Sequence, residues 1–274
     1  MSSLLVICRY KENKLTWFYK INKDIIIYNK GDDNISYIKN QRIINIDNIG
    51  CEEYVYLKFI IDYYDRLPDT IYFSQANPFD HSPDFINLVN LDTSKLQQTQ
   101  PLSLYYNKFI PGNKYIDIAK CLHIEGNRIF VGFYNGRMQR YFLPLDKFLY
   151  SYGQKGVYDL IYNLYNKTNK DIRKCIFDDL RIKPRNFNNK EMSPICHGAI
   201  FAVSKEIIRQ YPIEYYKYLL QRSIDISKND GKLFAIVMEF AWLELFKYNP
   251  PLELYTNENI ETDNKEGLRK LETK

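Results

Sequence analysis

Three histidines, five cysteines and one glutamate set among apolar neighbours are the groups of this 274-residue chain best suited to chemistry. His81 closes the run Asn77-Pro78-Phe79-Asp80-His81, with Asp84 three residues on. An imidazole beside carboxylates can hold a divalent cation or relay a proton. The competing reading is a loop closed by local Asx-type hydrogen bonds. His197 lies in Cys196-His197-Gly198, directly before an apolar run, and His123 falls inside a hairpin pattern that favours a structural role. Glu239 is the sharpest single residue. On a helix its neighbours are Ala235, Ile236, Trp242 and Leu243, all apolar. A carboxylate so placed resists ionisation unless it has a partner, which makes it a general-base candidate; the alternative is a polar seam between helices. The cysteines, at 8, 51, 121, 175 and 196, are odd in number and form no CxxC. Neither a disulfide framework nor a zinc knuckle is indicated, and reduced thiols of cytosolic type are expected.

The elements that must carry these groups can be read from hydrophobic patterning. Leu4–Cys8, Asp24–Tyr28, Arg42–Ile46 and Thr70–Ser74 read as strands, the first two as continuous apolar runs. A short helix is expected around Leu15–Lys20. A longer helix is expected from an Asn48 N-cap, with Glu52 and Glu53 in the first turn where the dipole favours anions, to about Asp65. This alternation predicts an α/β fold: a mixed, mostly parallel sheet flanked by helices. In such sheets ligands sit beyond the carboxyl ends of the strands. Those ends are Arg9-Tyr10-Lys11-Glu12, Asn29-Lys30, Asp47-Asn48 and Gln75-Ala76-Asn77. The second half adds antiparallel features: a hairpin over Leu122–Val131 and a tight turn at Asn135-Gly136. Val157–Tyr165 reads as helix and residues 166–195 as a long polar loop. Gly198–Ser204 is read as a strand, and Lys205–Gln210, Glu214–Arg222 and Lys232–Lys247 as helices. Residues 1–250 are expected to form one domain with a basic, insertion-like centre at 95–190, and 251–274 a charged tail.

Composition excludes several classes. Apolar residues supply 45% and charged residues 26%, as in globular proteins. No apolar run approaches the roughly 18 residues of a membrane span, and no signal-peptide pattern is visible, so a soluble, cytoplasmic protein is expected. Net charge is +5, and residues 95–147 and 165–190 each hold 8 basic and 3 acidic residues. A solvated face explains either stretch; phosphates or nucleic acid are the other readings. GxGxxG, GxxxxGK[ST], GxSxG and HExxH motifs are all missing, which weakens Rossmann dinucleotide, P-loop, α/β-hydrolase and zincin readings.

Several segments occur in an order that carries a resemblance: L-V-I-C-R-Y-K-E-N-K-L-T-W (5–17), I-I-I-Y-N-K-G (25–31), N-I-G-C-E-E-Y-V-Y-L-K-F-I-I-D-Y-Y-D-R-L-P-D (48–69) and Y-F-S-Q-A-N-P-F-D-H (72–81). They are followed by G-A-I-F-A-V-S-K-E-I-I (198–208) and M-E-F-A-W-L-E-L-F (238–246). Together they resemble an uncharacterised domain family of fungi, bacteria and large DNA viruses, itself similar to GT-A-fold glycosyltransferases. The resemblance covers the first 90 residues and about 195–247. It implies a GT-A-like (Rossmann-like) fold, and substrate or nucleotide-sugar donor binding by Arg9, Tyr10, Glu12, Asn29, Lys30, Asn48, Glu52, Gln75, Asn77, His197, Gly198 and Trp242. It implies Glu239 as the base that deprotonates the acceptor hydroxyl, with Asp80 and His81 completing the catalytic set. GT-A enzymes place a metal-binding DxD after a central strand. Here that position reads Gln75-Ala76-Asn77, so a Mn or Mg ion would fall to Asp80 and His81, or Lys and Arg would neutralise the diphosphate instead.

The leading expectation is therefore transfer of a sugar from a nucleotide-sugar donor to a hydroxyl of a glycan or protein acceptor, in the host cytoplasm or virion if the chain is viral. The alternative is a GT-A-like scaffold without catalysis that binds carbohydrate or serves in assembly. A hydrolase using Asp80 and His81, and nucleic-acid binding through the basic centre, rank below these.

Overall fold

The computed structural model describes residues 2–13, 15–31, 35, 38, 41–82, 85–103, 196–228 and 230–248. Between 104 and 195 it describes 122–125, 128–131, 133–134, 137–138, 142–143, 161, 163–164, 172–183 and 193–194. The centre is a six-stranded mixed sheet. Its strands are β1 (Ser3–Arg9), β2 (Asp24–Asn29), β3 (Arg42–Asn45), β4 (Thr70–Gln75), β5 (Thr99–Pro101) and β6 (Phe201–Ser204), in the spatial order β3-β2-β1-β4-β6-β5. β1, β2, β3 and β4 are mutually parallel. β6 runs antiparallel to both β4 and β5.

The apolar runs are continuous because both sheet faces are covered. Along β1, Leu4, Val6 and Cys8 enter one core while Leu5 and Ile7 enter the other. The same two-residue alternation sends Tyr28, Phe73 and Phe201 to the first face and Ile27, Tyr72 and Ala202 to the second. The first face is packed by α1 (Glu52–Tyr63) and, from later in the chain, by the helices Ile172–Asp179, Ile213–Ser227 and Leu233–Leu245, with the short turn at Lys205–Ile208. The second face is covered by the 3₁₀ turn Thr16–Lys20 and by α2 (Phe85–Asn90).

Four expectations needed correction. Residues 166–195 hold a helix, α3 (Ile172–Asp179), where a loop was expected. Among its described side chains the buried ones are Ile176 and Phe177, followed by Leu180 and Ile182, too short a pattern to stand out among charged neighbours. Tertiary bonds secure it: the Tyr215 hydroxyl donates to the Leu180 carbonyl at 2.7 Å, and Arg222 pairs with Asp179 at 2.9 Å. Gly198 is not in a strand; His197–Ala199 is a 3₁₀ turn and β6 starts at Phe201. The N-cap of α1 is Cys51, not Asn48, because a positive-φ residue, Gly50, turns the chain just ahead of the helix. Finally, Lys205–Ile208 (α4) is one short turn, while α5 extends over Ile213–Ser227 and α6 over Leu233–Leu245.

The expected hairpin is present as Leu122–Glu125 against Arg128–Val131, and Phe133–Tyr134 pairs with Arg137–Met138. Of the expected helix at 157–165, residues 161, 163 and 164 are described, and they are helical. Asn135-Gly136 and residues 251–274 lie outside the described residues. No helix among the described residues is long and apolar enough to cross a membrane.

Candidate functional site

In the order β3-β2-β1-β4 the chain moves outward from β1 in one direction, then returns to its other side for β4. The topological switch point is thus between β1 and β4, and sheets of this kind take their ligands beyond the carboxyl ends of the strands there. Arg9, Tyr10, Asn29, Gln75 and Ala76 lie at or just past these ends.

The floor of this end is built from the strand termini. Arg9 is fully buried; its guanidinium donates to Asn29 Oδ1 at 2.6 Å and to the Tyr10 and Glu12 carbonyls at 3.2 Å each. Asn29 passes the network on to Asn45 Oδ1 at 3.0 Å. A buried arginine needs such partners, and these three strand ends are locked by them. Tyr10 is exposed, and the Glu12 carboxylate accepts from the Tyr10 amide at 2.8 Å. Lys30 is also buried. Its ammonium donates to the Gly50 and Cys51 carbonyls, ahead of α1.

Helix α1 brings two acids to this end of the sheet. Glu53 is fully buried; one oxygen accepts from the Cys51 amide at 2.9 Å, the other from the Ser223 hydroxyl on α5 at 2.9 Å. This reach-back replaces the side-chain cap that Cys51 does not supply. Burial first, then the neighbouring Glu52 charge, push the Glu53 carboxyl up to about 7, against Ser223 and Lys30. Glu52 is half-buried and raised by desolvation, while its own amide and Lys30 pull it back. Gly50 sits at φ +56, and a Cβ there would collide with Glu53 Oε1 and lie 3.1 Å from Ser223 Oγ. Only glycine fits this turn.

Glu239 arrives from α6, a helix apolar on almost every side and therefore interior. The residue itself is half-buried. Its carboxyl lies well above the ordinary carboxylate range, through desolvation first and the Glu52 charge second; the Gly198 amide, hydrogen-bonded to it, opposes the shift. Glu52 and Glu239, far apart in sequence, thus form an interacting pair of acids. Cys196 is buried beside them, its thiol raised by desolvation first, then by Glu239.

The His81 side of the site is set by a tight turn in which the His81 and Ser82 amides donate to the Pro78 carbonyl at 3.1 and 2.8 Å. The imidazole packs against Gly198: a Cβ on Gly198 would lie 2.6 Å from His81 Cδ2 and 3.3 Å from Gln75 Nε2. Gly198 therefore touches Gln75 and His81 on one side and Glu239 on the other. Asp80 is exposed and accepts from Asn77 Nδ2 at 3.2 Å. Asn48 is exposed, two residues before Gly50. His197 belongs to the same turn as Gly198. Trp242 is fully buried among Tyr56, Phe201 and Phe246, with no ring face left for a sugar. Trp17 is likewise core, its indole N–H donating to the Ala76 carbonyl at 3.2 Å.

Cys51, Glu52 and Glu53 present ligand atoms within 4.8 Å of one another. Both Glu53 oxygens are taken by protein donors, and the Cys51 thiol, pushed up to about 12 by burial, donates to the Gly231 carbonyl at 3.4 Å. That donor set is arranged to close the helix start. Asp80 and His81 offer a carboxylate and an imidazole, the donor types Mn accepts. Sequence patterning isolated Glu239 but left Ser223 and the Gly198 amide unseen, since both roles come from tertiary geometry.

No curated protein and no solved structure matches the chain. The blocks at 198–208 and 238–246 lie outside the residues that a family model matches. Residues 5–110, carrying β1 to β4 and α1, are similar to an uncharacterised domain family, described as a protein of unknown function (DUF3431).

Proposed function

We propose that the chain is a glycosyltransferase of the GT-A type, moving a sugar from a nucleotide-sugar donor to a hydroxyl of a glycan or protein acceptor. The observation that carries this reading is the placement of Glu239: its backbone carbonyl is held at 2.9 Å by the Cys196 amide, at the turn whose Gly198 lies against Gln75 and His81 past the end of β4, and desolvation first, then the Glu52 charge, push its carboxyl upward. A base with a raised affinity for protons suits removal of a proton from an alcohol. In the transfer, the bond from the anomeric carbon to the donor diphosphate breaks and a bond to the acceptor oxygen forms. The acceptor proton passes to Glu239 and the nucleoside diphosphate leaves with the bonding electrons.

Charge balance bears on the cofactor. Arg9 and Lys30 are both buried, with N–H groups committed to carbonyls. Glu52 and Glu239 interact at the same end of the sheet. A diphosphate entering so acidic a place needs a cation to neutralise it. A divalent ion, Mn or Mg, on Asp80 and His81 fits this need, and that ion would stabilise the leaving diphosphate. Tyr10 and Gln75 remain the side chains best placed for the donor.

A second reading is a GT-A-like scaffold that binds carbohydrate without turnover. Gln75-Ala76-Asn77 at the end of β4, where a metal-binding carboxylate pair would stand, favours it. Donor hydrolysis or transfer measured with a panel of nucleotide sugars separates the two. Turnover that Glu239→Gln abolishes supports the transferase; glycan binding unchanged by Glu239→Gln, with no turnover of any donor, supports the scaffold.

A further inference from the structure

At the amino end of the sheet, opposite the candidate site, two arginines meet over one aromatic ring. Arg66, in the turn after α1, places its guanidinium carbon 4.5 Å from the Tyr63 ring centroid, and Arg42, the first residue of β3, places its own at 5.5 Å. Phe59, one helical turn earlier, stacks on Tyr63 with centroids 4.7 Å apart and steadies the ring. Both arginines are exposed, and among the described residues neither guanidinium has a carboxylate or carbonyl partner. Two phenol hydroxyls lie with them. Register pairs Arg42 with Ile26, and Tyr28 follows Ile26 by two residues, on the same sheet face. Tyr28 is fully buried and Tyr63 is 9% exposed, and among the described residues neither hydroxyl has a hydrogen-bond partner. Burial pushes the Tyr28 phenol up first; Asp62 and Tyr63 add to this, while Arg42 and Arg66 oppose it. The Asp62 charge is matched by Lys58 at 3.1 Å. A buried hydroxyl without a partner is costly and uncommon, so two of them beside two uncommitted guanidiniums make a set of donors that an acceptor-rich group would satisfy.

We propose that Arg42, Arg66, Tyr28 and Tyr63 form a binding site for a phosphoryl group, either the free phosphate ion or a phosphate monoester. The chemistry of the donors selects this class. Every group in the set donates and none is a committed acceptor. Two guanidinium forks match the charge and the oxygen spacing of a phosphate dianion, and the phenols supply two further donors. Stacking on Tyr63 holds the guanidiniums near one another before an anion arrives, which lowers the cost of binding. Both arginine side chains are exposed at their tips and swing to admit the anion to the hydroxyls beneath them. The site stands at the start of β3 and ahead of β4, whereas Glu239 and His81 belong to the carboxyl ends of the strands. A phosphate here is therefore an effector or an anchor, separate from the donor diphosphate, and the proposal does not depend on the transferase reading.

The test is isothermal titration of the full chain, without divalent ion and at fixed ionic strength, with inorganic phosphate and separately with phenyl phosphate. The wild-type chain should bind at least one of the two probes with a Kd at or below about 1 mM. Arg42→Gln/Arg66→Gln should weaken that binding by about tenfold or more, as the loss of charge-assisted donors does, and Tyr28→Phe by about threefold. Tyr28→Phe should keep the wild-type melting temperature in phosphate-free buffer, because the hydroxyl it removes has no partner among the described residues. Phenyl phosphate bound more tightly than phosphate supports the site with an ester as its ligand; the reverse order supports it with the free ion. Binding by the double-arginine variant equal to that of the wild type overturns the site, as does the lack of binding of either probe up to about 10 mM. Sugar-transfer assays report on Glu239 and are read separately, so a chain without transfer activity leaves the titration to decide the phosphate site.

Discussion

A carboxylate that resists ionisation is held in place by what surrounds it, and Glu239 has three such neighbours: an apolar helix, the Glu52 charge and one amide donor. Only the protonated form is favoured by the first two. As a base Glu239 works above its raised pKa, so kcat/KM should fall on the acid side with a midpoint above the ordinary carboxylate range, and a pH series of initial rates checks this. Glu239→Gln should lower turnover by about 10²- to 10⁴-fold while the donor Kd stays within about twofold. Glu52→Gln removes the opposing charge and should move the acid midpoint downward. The apolar setting of Glu239 was legible because Ala235, Ile236, Trp242 and Leu243 surround it at helical spacing. The same composition concealed Trp242 as core, since an aromatic one turn away reads equally as sugar platform or packing, and the structure buries it completely. The burial of Arg9 was also hidden: a terminal arginine on a strand reads as exposed until Asn29 and two carbonyls are seen to receive it.

At the start of α1, position and charge are set together by Gly50, Cys51 and Glu53. Gly50→Ala introduces a methyl into Glu53 and strains a positive φ, and should destabilise by about 1–3 kcal/mol in chemical denaturation. Glu53 is protonated more readily in the folded chain than in the unfolded one. Its favourable contribution is therefore complete below the unfolded carboxyl pKa and is lost as pH rises from the ordinary range through about 7. Denaturation midpoints should fall across that window, and Glu53→Gln, which keeps an acceptor for Ser223, should flatten the fall. A slope unaltered by Glu53→Gln would show the charge to lie elsewhere. The sequence pattern located α1 well and its cap poorly, because the cap is a carboxylate from the second residue of the helix and not Asn48. Helix α3 escaped notice for the related reason that its stability comes from Tyr215 and Arg222 of α5, partners invisible in its own eight residues.

Across the described residues, one mixed sheet with two covered faces carries the candidate site, and the apolar runs of β1 and β2 announced that sheet directly. The antiparallel placement of β6 beside β4 was not legible, since it pairs residues 70–73 with 201–204 across the whole basic centre. That pairing is what brings Gly198 and Glu239 to strand ends made in the first 80 residues. Core and site should separate experimentally. Trp242→Ala should cost about 3–5 kcal/mol by leaving a cavity under Tyr56 and Phe201, whereas Glu239→Gln should leave the melting temperature equal or higher. A chelator should lower turnover in proportion to the need for a divalent ion at the diphosphate, restored by Mn or Mg. The most direct test of the central claim is turnover of nucleotide-sugar donors, with Mn, by the wild-type chain and by Glu239→Gln at equal folded concentration. Turnover of at least one donor by the wild type, lost in the variant while the nucleotide still raises its melting temperature, is the predicted result. A variant as active as the wild type, or no donor turned over and no nucleotide raising the melting temperature of either protein, would contradict it.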